Sequence, residues 1–287
     1  MSTTEKATYR PRHILITGAS GGLGQALALR YAAQGVFLSL WGRDAARLEA
    51  LAAACTAKGA ECVVIRQDIR ELEASREKIL ELDAARPLTM AILNSGVSSG
   101  LLPQKKPDLG GLEPVADACR VMEVNALGAI NLMATLLEPM TARQAGHIVL
   151  IASLAALYPL PGSPGYSASK AALSFFARAT RMALFDAGVR ISIVYPGYIE
   201  TPMSRRLKGP QPLRMTADAA AEHIASRLLA GKDTIIFPRM LALGTRLLHL
   251  LPEPLAAFFL RYFAFTVEPD RKSPAYKGHS DAAPSKR

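Results

Sequence analysis

A tyrosine and a lysine lie four positions apart in the middle of the chain, in the sequence Ser163-Pro-Gly-Tyr-Ser-Ala-Ser-Lys170. On a helix this spacing places Tyr166 and Lys170 on the same face, so that the ammonium group lies near the phenol. A free tyrosine has a pKa of about 10, which is too high for a base at neutral pH, and a nearby cation lowers it by roughly a unit or more. The pair is therefore a candidate for general acid/base catalysis.

A serine thirteen positions before Tyr166 extends this pair. Ser153 follows the apolar run from His147 to Ile151, which predicts a strand, and ligand sites of α/β folds form at the carboxyl ends of strands. Its hydroxyl group can hydrogen-bond a substrate oxygen. Taken singly, Tyr166 would more often be a packing residue and Lys170 a solvated one, so further motifs are needed.

A glycine-rich turn follows the first apolar run, and a helical pattern follows it at once. The turn reads Thr17-Gly-Ala-Ser-Gly-Gly-Leu-Gly24. Glycine permits positive φ and close backbone approach, so such a turn can bring N–H groups and a helix N-terminus onto a pyrophosphate. The spacing of Gly18, Gly22 and Gly24 is one residue wider than GxGxxG, and the Gly-Lys-Ser/Thr of a P-loop does not follow. The turn predicts dinucleotide binding.

The end of the second predicted strand indicates which dinucleotide binds. An NAD site has an acidic residue here for the ribose 2′-OH, whereas this chain reads Trp41-Gly-Arg-Asp44. Gly42 leaves room, and Arg43 offers a fork of donors suited to a 2′-phosphate. NADP(H) is therefore favoured over NAD(H), with Asp44 available to cap the next helix. Asp68, after the third strand, either contacts the adenine amino group or caps a helix.

With the glycine turn and the Tyr166/Lys170 pair, the chain resembles the short-chain dehydrogenase/reductase family over about residues 12–238. The family's TGxxxGxG and YxxxK motifs are the turn and the pair just described. Its Asn-Asn-Ala-Gly motif appears as Leu93-Asn-Ser-Gly96, with departures at the first and third positions. Its Pro-Gly segment appears as Pro196-Gly-Tyr-Ile-Glu-Thr201.

The resemblance implies hydride transfer between a nicotinamide cofactor and a carbonyl compound or alcohol. Tyr166 would move the proton and Ser153 would orient the substrate oxygen. Lys170 would lower the tyrosine pKa and bind the nicotinamide ribose, and Asn125 would hold a water of the proton relay. The catalytic residues are then Asn125, Ser153, Tyr166 and Lys170. The cofactor contacts are Gly18, Ser20, Gly22, Leu23, Gly24, Arg43, Asp68, Asn94, Gly96, Tyr166, Lys170, Pro196, Gly197, Ile199 and Thr201.

Other classes of site lack their residues. A serine hydrolase needs a base beside its nucleophile, and the five histidines lie away from these motifs. Three cysteines without a CxxC, and no cluster of histidine and cysteine, argue against a disulfide framework and against a metal site. A cofactor-binding regulator without catalysis is the alternative from another class.

The apolar pattern predicts the scaffold that must position these residues. Short β-branched runs alternate with alanine-rich helical segments, which is typical of a parallel sheet covered on both faces. We expect an α/β fold, a doubly wound parallel sheet of Rossmann type with about seven strands in a single domain. The predicted strands are His13–Ile16, Val36–Leu40, Glu61–Ile65, Leu88–Leu93, His147–Ile151, Arg190–Val194 and Thr234–Phe237. The predicted helices are Gly22–Gln34, Asp44–Lys58, Arg70–Ala85, Leu112–Glu138, Pro164–Ala187 and Thr216–Ala230.

The chain is expected to divide into four parts. Residues 1–11 form a leader, 12–238 the dinucleotide-binding and catalytic domain, 239–266 an apolar helical extension, and 267–287 a polar tail expected to be disordered. The stretch from Met1 to His13 is polar and has no secretory apolar segment, so a cytoplasmic location is expected.

The extension is more apolar than a solvent-facing pair of helices should be. Its two runs, Met240–Leu251 and Pro254–Phe265, are too interrupted by charges and prolines to span a bilayer. One hypothesis is that they pack over the substrate cleft or at a subunit interface. The other is that they lie on a membrane surface as a peripheral contact, with three arginines at the headgroups: Arg239, Arg246 and Arg261.

Two loops should form the substrate end of the cleft. The loop between Thr201 and Thr216 should cover it, and Ala155 to Pro161 should form another wall. Apolar residues there favour a bulky or lipid-like carbonyl compound, and a sugar or nucleotide-sugar carbonyl is the alternative. The candidate substrate contacts are Tyr158, Tyr198 and Met203.

The chain is basic, with a net charge of +10 in 287 residues, of which +6 comes from residues 200–287. Such a balance suits a phosphorylated cofactor, an acidic substrate, a membrane surface or nucleic acid, and does not choose among them. Arg43 at the cofactor and the basic C-terminal segments account for the excess, so no nucleic-acid partner is expected. The expected partners are the small-molecule substrate and further copies of the chain in a homodimer or homotetramer.

Overall fold

A computed structural model describes residues 11–98, 113–262 and 266–267, with the backbone alone at 261–262 and 266–267. The strands of this part are β1 (His13–Thr17), β2 (Phe37–Gly42), β3 (Glu61–Arg66), β4 (Met90–Leu93), β5 (Gly146–Ile151), β6 (Val189–Pro196), β7 (Ile199–Glu200), β8 (Leu207–Lys208), β9 (Met215–Thr216), β10 (Thr234–Phe237) and β11 (Thr266–Val267). The α-helices are α1 (Gly22–Tyr31), α2 (Ala45–Thr56), α3 (Leu72–Ala85), α4 (Val115–Met122), α5 (Gly128–Ala142), α6 (Pro164–Ala183), α7 (Ala217–Leu229), α8 (Arg239–Leu248) and α9 (Glu253–Tyr262).

Seven of these strands form one parallel sheet in the order β10-β6-β5-β4-β1-β2-β3. The direction in which the chain adds strands reverses between β1 and β4, and ligands of open α/β sheets bind beyond the strand ends at such a switch point. The predicted Rossmann-type sheet of seven strands is therefore confirmed, in a single domain with C-terminal helices.

Apolar layers cover both faces of the sheet, which explains why its strands are apolar throughout. Every residue of β1 is buried. Because successive side chains of a strand point to opposite faces, Ile14 and Ile16 pack in the layer with α1 and α7, and Leu15 packs in the layer with α5 and α6. The sheet is thus a rigid platform whose carboxyl edge carries the site.

Some element boundaries differ from those predicted. β2 continues to Gly42 instead of ending at Leu40, because Trp41 is buried and pairs with β1 and β3. The predicted helix Leu112–Glu138 runs instead from Val115 to Ala142, with a π-helical turn at Glu123–Leu127. By length and composition this helix could cross a membrane, but over half of its most apolar 18-residue window is buried inside the fold, as in the core helix of a globular domain. Residue 112 lies outside the described part.

The C-terminal extension folds back over the carboxyl edge of the sheet. α8 begins directly after β10, and β11 pairs antiparallel with β8 in the loop predicted to cover the cleft. A Cβ atom at Gly197 would lie 2.9 Å from Cδ of Pro238, so this glycine lets the start of α8 pack closely. The leader up to residue 10, residues 263–265 and the tail from residue 268 lie outside the described residues.

Candidate active site

The glycine-rich turn takes the shape that pyrophosphate binding requires. Gly18 has φ +65°, and a Cβ atom at Gly24 would lie 2.2 Å from the carbonyl oxygen of Gly18. Helix α1 therefore starts directly against the turn, and no side chain caps its N-terminus. Its first N–H groups remain available for an anion. A backbone cradle of this kind fits a nicotinamide dinucleotide.

A threonine at the end of β1 joins the turn to the end of β4. Thr17 Oγ1 accepts hydrogen bonds from the backbone N–H groups of Asn94 and Ser95, at 2.9 and 3.0 Å. Asn94 Nδ2 donates in return to the carbonyl oxygen of Thr17 at 3.1 Å. These bonds use the backbone of Ser95, which explains why the departure from the family motif at this position is tolerated.

Basic side chains lie at the far end of the cleft, beyond β2. Asp44 caps α2 by accepting from the N–H of Arg47 at 3.1 Å, as the sequence allowed. The Arg43 side chain is 65% exposed, and its Nη1 lies 3.8 Å from Asp68 Oδ2. Arg43 and Arg47 both line the cleft. Arg47 was not predicted from the sequence, although a second arginine four positions after Arg43 could have indicated a further phosphate contact.

Asp68 is held in a tight turn and does not cap α3, whose N-cap position is Glu71. Its carboxylate accepts from the backbone N–H of Arg70 at 3.0 Å and from the Arg70 guanidinium at 2.8 Å. These bonds to Arg70 hold the pKa of Asp68 below its usual value. The helix-cap alternative for Asp68 is therefore wrong, and the charged carboxylate lines the cleft.

Tyr166, Ser153 and Lys170 meet at the centre of the cleft, as predicted. Tyr166 is half-buried and hydrogen-bonds the Ser153 side chain. Lys170 Nζ lies 5.9 Å from the centroid of the Tyr166 ring and donates to the carbonyl oxygen of Ile151 at 2.8 Å. This hydrogen bond to β5 fixes the ammonium group near the ring of Tyr166.

The electrostatics of this group differ from the prediction in one respect. Burial raises the pKa of Tyr166, while the hydrogen bond with Ser153 lowers it, and the net direction is upward. The predicted lowering by Lys170 does not set this net direction, because desolvation dominates. Burial also lowers the pKa of Lys170 to about 8.

Asn125 is placed by the π-helical turn, a feature that is frequent at functional sites. Its Oδ1 accepts from the N–H of Val97 at 2.8 Å, and its Nδ2 donates to the carbonyl oxygen of Val97 at 2.9 Å and to Ser169 Oγ at 3.1 Å. Asn125 is fully buried, and the expectation that it holds a water of the proton relay stays a prediction. Asn125 joins the segment after β4 to α6.

The cleft has a volume of about 1080 Å³, which is large enough for a dinucleotide and a substrate. All of the predicted cofactor contacts except Gly24 line it, and of the predicted catalytic residues Asn125 does not. The predicted contacts that line it are Gly18, Ser20, Gly22, Leu23, Arg43, Asp68, Asn94, Gly96, Tyr166, Lys170, Pro196, Gly197, Ile199 and Thr201. Within the described ranges, no group of three or more histidine, cysteine or acidic residues could hold a metal ion.

The substrate end is lined by two of its three predicted contacts. Tyr198 and Met203 line the cleft. Tyr158 does not, because its ring packs against His249 with centroids 4.9 Å apart. The largest part of the apolar wall comes from the C-terminal extension. Packing of this segment over the cleft was one of the two hypotheses drawn from the sequence. These extension residues are Met240, Leu241, Gly244, Thr245, Leu247, Leu248, Leu251, Phe259 and Leu260.

Comparisons with known proteins agree with this geometry. Residues 12–211 match the family model for short chain dehydrogenases. An uncharacterized oxidoreductase of Myxococcus xanthus (strain DK1622) is 34% identical over 245 residues, which cover 85% of this chain and 94% of that protein.

Two solved structures have the same fold with different cofactors. A short-chain dehydrogenase from Sphingobium yanoikuyae in complex with NADPH has a TM-score of 0.69 at 24% identity, over 84% of this chain and 96% of that one. An NAD⁺-bound xylitol dehydrogenase has a TM-score of 0.61 at 26% identity, over 68% of this chain and 73% of that one. With the glycine turn and the Tyr166/Lys170 pair in place, this chain belongs to the short-chain dehydrogenase family and is an NAD(P)-dependent oxidoreductase.

Proposed function

We propose that this protein uses NADP(H) to interconvert a bulky, apolar carbonyl compound and its secondary alcohol, with Tyr166 as the general acid/base. The observation that carries the proposal is one cleft in which the Tyr166 and Ser153 hydroxyls meet an apolar wall. The reacting oxygen would bind between these two hydroxyls, with the apolar part of the substrate against α8 and α9.

The chain's own residues then handle the proton and the charge. When bound, the cofactor exchanges a hydride with the substrate carbon. In the direction of reduction, Tyr166 donates its phenolic proton to the substrate oxygen, and Ser153 hydrogen-bonds the same oxygen. The ammonium group of Lys170 stabilises the phenolate that remains. Burial raises the pKa of Tyr166, so the phenol carries the proton that the reduction step needs.

The basic mouth of the cleft supports the preference for NADP(H). Arg43 and Arg47 both line the cleft on the side of β2, and Asp44 is engaged as the cap of α2. A ribose 2′-phosphate here would meet two guanidinium groups, which bind phosphate oxygens in a bidentate manner. Asp44 is then unsuited to the ribose hydroxyl that it would hold in an NAD site.

The apolar wall supports a lipid-like substrate over a sugar. Leucine, methionine and phenylalanine side chains from α8, α9 and the covering loop form it. They offer no hydrogen bonds to the many hydroxyl groups of a sugar, so binding a sugar there would leave those groups desolvated and unpaired. A long alkyl or polycyclic group would instead be buried favourably.

The outer side of the extension supports peripheral contact with a membrane, where such a substrate would be dissolved. Leu243, Leu250 and Phe258 are 57%, 79% and 53% exposed and do not line the cleft, and Arg239 and Arg246 are exposed on the same helix as Leu243. Apolar side chains with nearby cations suit an anionic membrane surface. We propose that the protein is cytoplasmic and binds such surfaces.

A liposome experiment tests this contact. We expect co-flotation with anionic vesicles, and expect it to be lost in the double variant Leu250→Ser with Phe258→Ser. Leu229→Ser at the end of α7 is the matched control, since it removes an exposed apolar side chain elsewhere. No binding by the unaltered chain would refute the membrane proposal.

Exposed apolar side chains on α6 support self-association. Phe175 and Met182, two helical turns apart, are 69% and 80% exposed, and Phe185 just beyond the helix is 86% exposed. Side chains of this size rarely cluster on a monomer surface unless a partner covers them. We propose a homodimer or homotetramer through this face, and light scattering should show a monomer for the double variant Phe175→Ser with Met182→Ser.

A substrate panel tests the central proposal. We expect NADPH oxidation with long-chain methyl ketones or polycyclic ketones, slower turnover with NADH, and little turnover with aldoses or ketoses. Turnover of sugars alone would support the alternative substrate class. If no carbonyl compound is reduced although NADPH binds, the protein is a cofactor-binding regulator and the catalytic proposal is wrong.

A further inference from the structure

The helix that carries Tyr166 and Lys170 begins without a cap of its own. Its N-cap residue, Ser163, makes no side-chain capping bond, and Pro164 at the first position has no N–H group. The first N–H of the helix is therefore that of Gly165, which directly precedes Tyr166. The start of a helix leaves such N–H groups unpaired unless another part of the chain supplies an acceptor.

A carboxylate from a distant segment supplies this acceptor. Glu113 lies 52 positions earlier, just before α4, and its Oε2 accepts from the backbone N–H of Gly165 at 2.6 Å. A negative charge at a helix N-terminus is favoured by the helix dipole, and a charged acceptor gives a strong hydrogen bond. The contact ties the beginning of the catalytic helix to α4.

The residue at position 165 is suited to this contact by its lack of a side chain. A Cβ atom there would lie 2.8 Å from Oε2 and 2.9 Å from Oε1 of Glu113. Positive φ does not explain the glycine, because Gly165 is not among the glycines in that region. The approach of the Glu113 carboxylate does explain it.

The second oxygen of this carboxylate indicates that fold stability alone does not account for the arrangement. Oε1 of Glu113 is buried and has no hydrogen-bond partner within the described part of the chain. A buried acceptor without a partner costs free energy, and such costs are commonly accepted at functional sites.

We propose that Glu113 is a positioning residue for catalysis: its bond to Gly165 fixes the first turn of α6, so that the Tyr166 hydroxyl stays against Ser153 and near Lys170. This inference rests on the proposed role of Tyr166 as acid/base. Glu113 does not line the cleft and therefore acts through the helix and not on the substrate.

Three variants test the contact from both sides. Glu113→Ala removes the acceptor, Glu113→Gln keeps an acceptor oxygen without the charge, and Gly165→Ala pushes the carboxylate away. Since small misplacements of a catalytic group are costly, we expect Glu113→Ala and Gly165→Ala to lower kcat about tenfold, with Glu113→Gln within about threefold of the unaltered enzyme. In the Glu113→Ala background, Gly165→Ala should have no further effect.

The readouts separate positioning from a general loss of folded protein. Trp41 is the only tryptophan of the chain and lines the cleft, so quenching of its fluorescence by NADPH gives the fraction of folded sites, to which kcat is normalised. KM and the NADPH Kd should stay unchanged. The matched control is Asn131→Ala, which removes a hydrogen bond between α5 and α3, does not line the cleft and should leave kcat unchanged.

The outcomes are distinct. The proposal is wrong if Glu113→Ala keeps full kcat per folded site, if it fails only by unfolding while Gly165→Ala keeps full kcat, or if Glu113→Gln is as slow as Glu113→Ala. If Tyr166→Phe also keeps full turnover, the proposed function itself fails. Loss with Tyr166→Phe and none with Glu113→Ala overturns the positioning role alone.

Discussion

The two halves of the cleft are built in different ways. On the cofactor side of the cleft, four side chains form hydrogen bonds to backbone atoms of another strand or loop. They are those of Thr17, Asn94, Asn125 and Lys170. In the C-terminal extension, the fully described side chains that are buried are those of two alanines, Ala242 and Ala256. Most large apolar side chains of α8 and α9 line the cleft or are exposed.

This difference indicates a division of labour. A network of bonds to backbone holds reacting groups within a fraction of an ångström, as proton transfer requires. A wall of apolar side chains with few polar anchors constrains shape only loosely, so it can accept substrates of different outline. We infer that the sheet edge performs the chemistry and the extension chooses the substrate.

The largest effect on kcat should come from Tyr166, on the side of the cleft that is held by hydrogen bonds to the backbone. Tyr166→Phe keeps the ring and removes the proton, so kcat should fall about 10³-fold, the usual scale of acid/base catalysis. NADPH should still quench Trp41 fluorescence, which shows that the cleft is intact. Substantial turnover by this variant would show that Tyr166 does not transfer the proton.

The next largest effect should be on NADPH binding, through Arg43 at the basic mouth of the cleft. Arg43→Ala should weaken NADPH binding roughly tenfold to a hundredfold, since a hydrogen bond between charged groups contributes about 1.5–3 kcal/mol. Binding of NADH should change little, because it has no 2′-phosphate. Tryptophan quenching titrations with both cofactors measure the two Kd values, and an equal loss for both would contradict the NADP preference.

A smaller effect, confined to large substrates, should come from the extension. Leu248→Asn places an amide in the apolar wall and should raise KM for long-chain methyl ketones about tenfold, given about 1.5–3 kcal/mol for burying a leucine. KM for acetone-sized ketones and the NADPH Kd should not change. Leu243→Asn is the control, because Leu243 is on the same helix, 57% exposed and not part of the wall.

The smallest effect concerns stability. Burial lowers the pKa of Lys170 from 10.5 to about 8, so between these values the unfolded chain binds more protons than the folded one. The penalty for a buried ammonium is present below pH 8 and is relieved as pH rises toward 10.5. Lys170→Met should therefore unfold at higher urea concentration than the unaltered protein at pH 7, with a smaller difference at pH 10. An unchanged difference across this range would show that Lys170 titrates normally.

The motifs were predictable because they depend on local spacing. Tyr166 and Lys170 share a helix face because residues four positions apart on a helix lie on the same side. The glycine turn directly follows a strand and directly precedes a helix in the sequence. Tyr158 was predicted to contact the substrate, but its ring packs against His249, which directly follows α8 and lies far along the chain. Asn125 was named from the family resemblance, but the π-helical turn that carries it has no clear sequence pattern.

The sequence by itself determined the sheet, the glycine-rich turn and the pairing of Tyr166 with Lys170 on one helix, since periodicity and short motifs encode them. Only the tertiary structure decided which wall the extension forms, that burial outweighs the Ser153 hydrogen bond in the pKa of Tyr166, and that Glu113 meets Gly165. Each of these depends on residues distant in sequence coming together, and on the loss of water when they do.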